Sequence, residues 1–443
     1  MLTLHSHPCS LTAPPINTPS RRPWKAIPGP RRVETVCRAK TVRSPETKGT
    51  KDAKAGDRFY FNITGFPFPL GPFFDRKTIR KEIVKGKIWT FDQPQSLEFS
   101  TVTINIRMTV VKLESGGLWV HSPIAPTKEC LNLLKELDAP IEYIILPTFA
   151  YEHKIFVGPF SRKFPKAQVY VAPSQWSWPI NLPPQFFGIF PDAELKDKDM
   201  GTPWADEIDQ KVFRPPDVGI GPYVECMFYH KASKTLIVTD IVVYIPSTPL
   251  EIVPTANLLD QAKDNGLNTF LTGDMTKEEV KAKTVPGEVD DTPANRKRGW
   301  MRTALLVLYF GPYNLLQPQA SFRAIADKWI VSPVIRILVY SRIPKSVTKW
   351  IDEIESDWDF TSVIPCHFAG PVKARPGDLS QAFAFSYIAA GTKPRVGGGG
   401  GIFGFLKPPE AALKDYIPAS DLARLNSLND TLNDAGVVYS DLE

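Results

Sequence analysis

Apolar and polar residues alternate most clearly in the first third of the chain. Residues 101–113 (TVTINIRMTVVKL) repeat with a period of two and are rich in β-branched residues, which predicts a long strand. Gly116-Gly117 supplies a turn and Leu118–Val120 begins a second strand, so a hairpin is expected. Thr127 stands where an N-cap is expected before a helix over residues 128–137.

The same alternation of strand and helix patterns continues along the chain. Residues 141–146 (IEYIIL) predict a strand that Pro147 ends, and a helix-like stretch follows to about Arg162. Further strands are predicted at 168–171, 224–229, 235–239 and 360–365, with an amphipathic helix at 347–359 and a short helix at 421–432. Strands and helices that alternate in this way are typical of layered α/β folds.

The charge of the chain is concentrated in its first residues. Residues 1–55 hold eleven Lys/Arg and three Asp/Glu, so the rest of the chain holds 42 Lys/Arg and 44 Asp/Glu, a balance of −2. The folded part therefore does not indicate a basic groove for nucleic acid. Residues 1–43 are rich in Ser, Thr, Pro and Arg with Glu34 as the one acid, a composition typical of an organelle transit peptide. Val36–Ala39 is similar to a chloroplast processing site, which predicts a chloroplast location, in the stroma or at the thylakoid.

The most apolar window of the chain is too short to cross a membrane. It runs from Thr303 to Leu316 (TALLVLYFGPYNLL) and is interrupted by Gly311-Pro312, whereas a span needs about 18 apolar residues. Two interpretations stay open, a buried helix and a contact with a membrane surface, of which burial is preferred. The sequence does not decide the oligomeric state.

Three segments end in residues that ligate metals in a known family. Residues 144–153 (IILPTFAYEH) resemble the strand of the metallo-β-lactamase superfamily that leads into its H-x-H-x-D-H motif. Residues 234–240 (KTLIVTD) resemble the strand before the metal-bridging aspartate, and 363–367 (VIPCH) the strand before the last histidine. The resemblance covers about residues 100–375 and is closest to an uncharacterised plant and cyanobacterial branch, including VAPSQWSWP at 171–179.

The resemblance implies an α/β fold, a four-layer αββα sandwich with insertions and a C-terminal extension. The implied organisation is a transit peptide and disordered linker at 1–55, a metallo-β-lactamase-like domain at 56–395 with an insertion at about 250–330, and a glycine-rich joint with a helical tail at 396–443. The first two histidines of the family motif correspond to Thr148 and Ala150, and residues 217–222 lack the family's further histidine. The ligands of one metal ion are therefore missing.

The ligands of the second ion are retained by type. Glu152 and His153 match the D-H pair, Asp240 the bridging aspartate and His367 the last histidine. Two imidazoles and two carboxylates suit one divalent Zn, Fe or Mn ion. The implied chemistry is hydrolysis of a small-molecule substrate, with Asp240 and Glu152 as catalytic carboxylates. The alternative is a relict site, in which these side chains hydrogen-bond one another in a non-catalytic binding or structural protein.

Four further residues are candidates for the surroundings of this site. His121 ends a predicted strand where the superfamily usually has an aspartate, so it either faces the site or bonds to backbone. Thr148 occupies the position of a lost ligand. Trp176 and Trp178 are candidates to line a substrate pocket, and the alternative is that they pack against the core, as such residues do by default. His230 is interpreted as a hairpin residue and Cys366 as a buried thiol.

Overall fold

The first sheet collects the strands of the N-terminal half of the chain. It consists of β1 (Thr47–Lys48), β2 (Ile79–Val84), β3 (Ile88–Ser96), β4 (Thr103–Lys112), β5 (Leu118–His121), β6 (Ile141–Leu146), β7 (Gln168–Val171) and β8 (Ala193–Glu194), each hydrogen-bonded to the next. Neighbours are antiparallel from β1 to β5 and parallel from β5 to β8. Parallel neighbours need crossovers, which α1 (Lys128–Lys135) and α2 (Tyr151–Ser161) provide.

The second sheet is built from strands of the C-terminal half. Its strands are β9 (Ile208–Phe213), β10 (Glu225–His230), β11 (Thr235–Ile237), β14 (Ser362–Ile364) and β15 (Val372–Lys373), in the spatial order β15-β14-β11-β10-β9. The β11–β14 pair is parallel and the other pairs are antiparallel. A separate antiparallel pair joins β12 (Val243–Tyr244) to β13 (Trp329–Ile330).

The remaining helices belong to the second half of the chain. They are α3 (Thr255–Ala262), α4 (Pro293–Tyr309), α5 (Gln319–Ile325), α6 (Pro333–Leu338), α7 (Pro344–Asp357), α8 (Asp378–Ala382), α9 (Ala384–Ala390) and α10 (Ala423–Asp434).

This computed structural model describes residues 47–48, 54–61, 73–97, 100–177, 181–219, 221–264, 287–309, 315–394 and 413–439. These residues belong to one compact unit that spans Pro45–Glu443. The predicted transit peptide, Trp178 and the glycines at 397–401 lie outside the described residues.

The two sheets pack face to face. Trp119 and Ile145 of the first sheet share a buried cluster with Phe228 and Ile364 of the second. The ring of Trp119 meets that of Phe228 edge-on, with centroids 5.0 Å apart. Side chains from the inner faces of both sheets therefore form the central layer of the core.

Helices cover the outer face of each sheet. Met108 and Val120 point away from the second sheet and pack with Leu133 of α1 and Phe156 of α2. On the opposite side, the second sheet's outer residues, such as Met227, share a core with Trp350 and Ile354 of α7. Helix, sheet, sheet and helix follow one another, so the predicted four-layer αββα sandwich is confirmed.

Local predictions from the first half of the sheet agree closely with the structure. β6 and β7 have the predicted bounds, and β4 pairs with β5 in the predicted hairpin. The hydroxyl oxygen of Thr127 accepts a hydrogen bond from the backbone N–H of Cys130 at 3.1 Å, so the predicted N-cap is confirmed. The helix is shorter than predicted and ends at Lys135.

The apolar window at 303–316 is buried where the structure describes it. Residues 303–309 form the end of α4, and all but Val307 are buried. Leu305 and Leu308 belong to a core cluster with Leu258 of α3. The preferred interpretation, a buried helix, is confirmed for these residues. Within the described ranges, no helix has the length and apolar character to cross a membrane.

Candidate metal centre

Four side chains from three separate parts of the chain meet at one edge of the sandwich. Glu152, His153, Asp240 and His367 each offer one ligand atom, and these atoms all lie within 4.8 Å of one another. His153 is fully buried, whereas Glu152 and Asp240 are partly exposed. We call these four residues the cluster. It unites all four residues that the sequence predicted as ligands.

Each member of the cluster follows the carboxyl end of a strand. Glu152 and His153 lie in the first turn of α2, which follows β6. Asp240 follows β11 and His367 follows β14, and these two strands are parallel neighbours. Their pairing continues beyond the strands, because Cys366 N–H donates to the carbonyl of Thr239 at 3.3 Å. Parallel neighbours end at the same edge of a sheet, which brings Asp240 and His367 together.

The orientation of His367 is fixed by its outer nitrogen. Nδ1 lies 2.8 Å from the carbonyl oxygen of Asn105 on β4. A carbonyl oxygen only accepts hydrogen bonds, so Nδ1 carries the proton. Nε2 then faces the cluster, 3.2 Å from Oδ1 of Asp240. An imidazole whose outer N–H is held by a carbonyl presents its other nitrogen as a metal ligand.

His153 is held in a similar way. Its Nδ1 lies 2.6 Å from Oγ of Ser122, and its Nε2 lies 3.3 Å from Oδ2 of Asp240. Nε2 is also one of the buried atoms that make no well-formed hydrogen bond in the described structure. Buried polar atoms normally have partners, and an orphaned imidazole nitrogen that points at a carboxylate suits a shared cation.

The electrostatic environment of the cluster favours a positive charge. Burial by itself would raise the pKa of Asp240, but the neighbouring imidazoles of His153 and His367 lower it on balance. Burial opposes protonation of His367, yet the hydrogen bond and charge of Asp240 outweigh it and raise the pKa of His367. Both directions state that the carboxylates attract a cation at this point, either a proton on His367 or a metal ion.

The residues present fit a divalent metal ion. Tetrahedral ligands at about 2.1 Å from an ion lie roughly 3.4 Å from one another. The distances from Asp240 to the two histidines, 3.2 and 3.3 Å, match that spacing. The set of two nitrogens and two oxygens suits Zn, Fe or Mn. In the part of the chain that the structure describes, this is the single group of at least three such side chains.

The lost first metal position contains a hydroxyl and a buried acid instead. Oγ1 of Thr148 donates to Oε1 of Glu225 at 2.9 Å, and both residues are buried. Burial, followed by the charge of Asp240, raises the pKa of Glu225 well above its ordinary value. Glu225 is therefore committed to a hydrogen bond with Thr148, and neither residue belongs to the group of side chains that could hold an ion.

A cavity of about 480 Å³ opens beside the cluster, and we call it the cleft. One end is formed by Glu152, Asp240 and His367, with Glu225 beside them. Its walls are largely apolar and come from α4, α6, the segment 149–152 and parts of the strands and loops around them. The cluster is therefore accessible from a site of the size that small molecules occupy, about 300–1,000 Å³.

The other candidates lie in different surroundings. His121 is buried between the sheets, stacks on Trp119, and has Nδ1 at 3.9 Å from Sγ of Cys366. Burial, then the nearby charge of His153, lowers the pKa of His121 to about 3, so it is neutral. Among the described residues, His121 has no hydrogen bond to the backbone and no direct contact with a member of the cluster. The adjacent residue Ser122 contacts His153 instead.

The tryptophan predicted to line a pocket packs elsewhere. The ring of Trp176 lies against Gly221, where an added Cβ would approach it to 2.8 Å. Trp176 is not among the described residues that line the cleft, so its predicted pocket role stays a prediction. Burial raises the pKa of the Cys366 thiol, as expected for an unreactive buried cysteine. His230 lies at the end of β10 and contacts Ser233 in the hairpin turn.

The residues that support the cluster were not found from the sequence. Ser122 and the carbonyl of Asn105 hold the two histidines. Arg107 donates from Nη1 to the carbonyl of Pro365 at 2.7 Å and from Nη2 to that of Phe368 at 3.0 Å, and so fixes the loop that carries His367. A polar face on β4, with Asn105 and Arg107 among its apolar residues, was the one available signal.

Solved structures that resemble the chain are metallo-β-lactamase-fold proteins. A metallo-β-lactamase from Pontibacter korlensis is 13% identical, with 54% of this chain and 99% of that chain covered and a TM-score of 0.30. The metal-soaked Flv1 flavodiiron core from Synechocystis sp. PCC6803 is 11% identical, with 68% and 59% covered and a TM-score of 0.36. A metallo-β-lactamase from Hirschia baltica is 7% identical, with 50% and 95% covered and a TM-score of 0.28.

A search among curated proteins found no match to this chain. A family model described as "Domain of unknown function (DUF4336)" matches residues 85–319 and 316–385. The match includes both sheets from β4 to β15 and all four residues of the cluster. The chain belongs to the DUF4336 family.

Proposed function

We propose that this protein is a chloroplast hydrolase that works with one divalent metal ion held by Glu152, His153, Asp240 and His367. The observation that carries the proposal is the convergence of these four ligand atoms within 4.8 Å, at the end of an open cleft. The tethered outer nitrogens of both histidines support it, since they orient the inner nitrogens before any ion binds.

The carboxylates take different roles in this proposal. When bound, an ion of this kind lowers the pKa of a water ligand and so supplies a nucleophile near neutral pH. Asp240 lies between the two imidazoles and acts as a fixed ligand. Glu152, which is partly exposed and lines the cleft, would be the fourth and least secure ligand; when a water takes its place on the ion, its carboxylate would be placed to accept that water's proton. A single ion does not clamp nucleophile and leaving group together, so chemistry different from two-metal enzymes is expected.

Metal content tests the proposal directly. The purified protein is incubated with Zn²⁺, Fe²⁺ or Mn²⁺ and then desalted. It should retain about one ion per chain, as measured by elemental mass spectrometry. His367→Ala and Asp240→Asn should lose it while circular dichroism stays unchanged. His230→Ala is the matched control, because His230 is equally buried and lies outside the cluster. Absence of stoichiometric metal, or equal retention in His367→Ala, would contradict the proposal.

A non-catalytic role is the second candidate. It is favoured by the contacts within the cluster, since both histidines lie within 3.3 Å of Asp240 and can donate hydrogen bonds to its carboxylate in place of a metal ion. In that case the cleft would bind a molecule without converting it. A metal-loaded protein that hydrolyses no ester, thioester, lactone or phosphoester in a broad panel supports this candidate over the hydrolase.

The location rests on the composition of residues 1–43. A fusion of residues 1–55 to a fluorescent protein should enter isolated chloroplasts and be shortened there. Contact with a membrane surface stays a separate proposal. Carbonate washing of chloroplast membranes tests it, because a peripheral protein is released into the wash.

A further inference from the structure

We infer that the cleft binds an uncharged and largely apolar molecule with a carbonyl group at its cluster end. The charge argument concerns the metal-free chain, and the inference rests on the proposed function for what happens to that molecule after it binds. It is derived from the walls of the cleft, from the charges that these walls lack, and from the volume they enclose.

The walls are apolar along most of their length. Val307 and Leu308 of α4 form one side, and Val334, Ile335 and Leu338 of α6 form another. Val307, Val334, Ile335 and Leu338 are partly exposed, so they present apolar surface to whatever enters. Apolar surface that is open to a cavity gains free energy when an apolar ligand covers it.

The ionisable side chains at the cluster end are three acids and one histidine. Glu152, Glu225 and Asp240 line the cleft with His367, whose imidazole lies 3.2 Å from Asp240, and none of the described lining residues is Lys or Arg. Without a metal ion, a carboxylate or phosphate would therefore be desolvated beside acidic groups with no cation free to pair with it. The metal-free cleft selects against anionic ligands, and a neutral carbonyl oxygen meets no such penalty.

Cations close to the cleft are committed to other partners. Arg336 lies on α6 between Ile335 and Leu338, but its guanidinium donates two hydrogen bonds to the carboxylate of Asp415, at 2.9 and 2.7 Å. Arg107 lies near the cluster but pairs with Asp92 and with the carbonyls of the loop that carries His367. The folded chain thus directs these positive charges away from the cleft.

The volume is large enough for a medium-length ester. At about 30 Å³ for each water-sized group, 480 Å³ holds on the order of sixteen such groups. An ester with an acyl chain of roughly ten carbons fills this space. In its hydrolysis one water supplies the hydroxyl that bonds to the acyl carbon and the hydrogen that leaves with the alcohol, so acid and alcohol are the products.

Binding of a neutral and an anionic probe of equal length tests the inference. Isothermal calorimetry on the full-length protein freed of metal with a chelator should show that 2-undecanone, which is not hydrolysed, binds at least tenfold more tightly than sodium decanoate. Affinity within a series of shorter methyl ketones should rise by up to about fourfold per methylene, the value that corresponds to full burial. Equal affinities for the two probes, or no dependence on chain length, would overturn the inference.

A charge placed in the wall should reverse the preference. Ile335→Lys, and independently Val307→Lys, should weaken 2-undecanone binding at least tenfold and strengthen decanoate binding. Ile388→Lys is the matched control, since Ile388 is an exposed apolar residue on α9 and is not among the described lining residues. If neither wall variant that folds, as judged by circular dichroism, changes the ratio of affinities, the cleft is not the binding site and the inference is wrong.

The metal variants separate this inference from the proposed function. His153→Ala, at a ligand that is not among the described lining residues of the cleft, should abolish metal retention but leave 2-undecanone binding within about threefold, because the apolar walls remain. Loss of metal with ketone binding retained supports the cleft even if the hydrolase proposal fails. A protein that holds metal but does not bind the ketone supports the metal centre and refutes the inference.

Discussion

Replacing the buried acid Glu225 with glutamine should stabilise the protein, and the gain should grow with pH. Glu225 is 1% exposed, and burial together with the charge of Asp240 raises its pKa well above the ordinary value. The folded protein therefore keeps this carboxyl protonated at pH values where the unfolded chain has released the proton. A group that binds more protons in the folded state makes the free energy of unfolding fall as pH rises above its unfolded pKa.

The size of the effect follows from the linkage relation. One titrating proton changes the free energy of unfolding by at most about 1.4 kcal/mol per pH unit. Between pH 5 and pH 7 the Glu225→Gln variant should therefore gain up to about 2.7 kcal/mol relative to the wild type. Glutamine keeps a carbonyl oxygen that accepts the 2.9 Å hydrogen bond from Thr148, so the two proteins should differ by less than about 1 kcal/mol at pH 5.

Urea unfolding at pH 5, 6, 7 and 8 measures this difference. Glu251→Gln is the control, since Glu251 is a surface residue whose carboxylate is 55% exposed. Its free energy of unfolding should stay within about 0.5 kcal/mol of the wild type at each pH. A difference between Glu225→Gln and wild type that is independent of pH, or that turns against the variant as pH rises, would refute the reasoning.

Three further predictions concern the metal and the C-terminal segment. Burial opposes protonation of His367, but Asp240 raises the pKa of His367 overall, so the metal-free protein should lose stability as pH rises through that pKa. Over the same pH range the increase in melting temperature caused by added Zn²⁺ should grow, because fewer protons compete for His367. A zinc effect that is constant from pH 6 to 8 argues against His367 as a ligand. Ser122→Ala should weaken zinc affinity by about 10–100-fold in a competition titration, whereas Ser115→Ala at an exposed turn should not change it. Arg342→Ala removes the hydrogen bonds to Asn433 and to the carbonyl of Tyr439, so the free energy of unfolding should fall by about 2–3 kcal/mol. Trypsin should then cleave residues 413–439 before it cleaves the rest of the chain. Simultaneous cleavage throughout the chain would contradict this prediction.

The N-terminal sheet shows where the sequence pattern succeeds and where it fails. β6 and β7 were predicted with their observed bounds because each is a short apolar run between turn signals. β2 and β3 were not predicted. β3 is buried along its whole length, yet it contains Asp92, Gln93 and Gln95, so it lacks a readable apolar face. Each of these polar residues has at least one partner elsewhere in the chain, as when Asp92 pairs with Arg107 at 2.9 Å.

The sequence by itself determined where most of these strands lie, the bounds of β6 and β7, and the four ligand types that follow the strands, because a strand's period and its termination are set by neighbouring residues. Only the tertiary structure decided how the ligands are held and what approaches them. The carbonyl of Asn105 that orients His367 is 262 positions away and belongs to the backbone, which carries no residue-specific signal. The apolar cleft likewise forms where α4 and α6 pack beside segments such as 149–152 and 367–368, and packing between distant segments depends on how whole layers fit together.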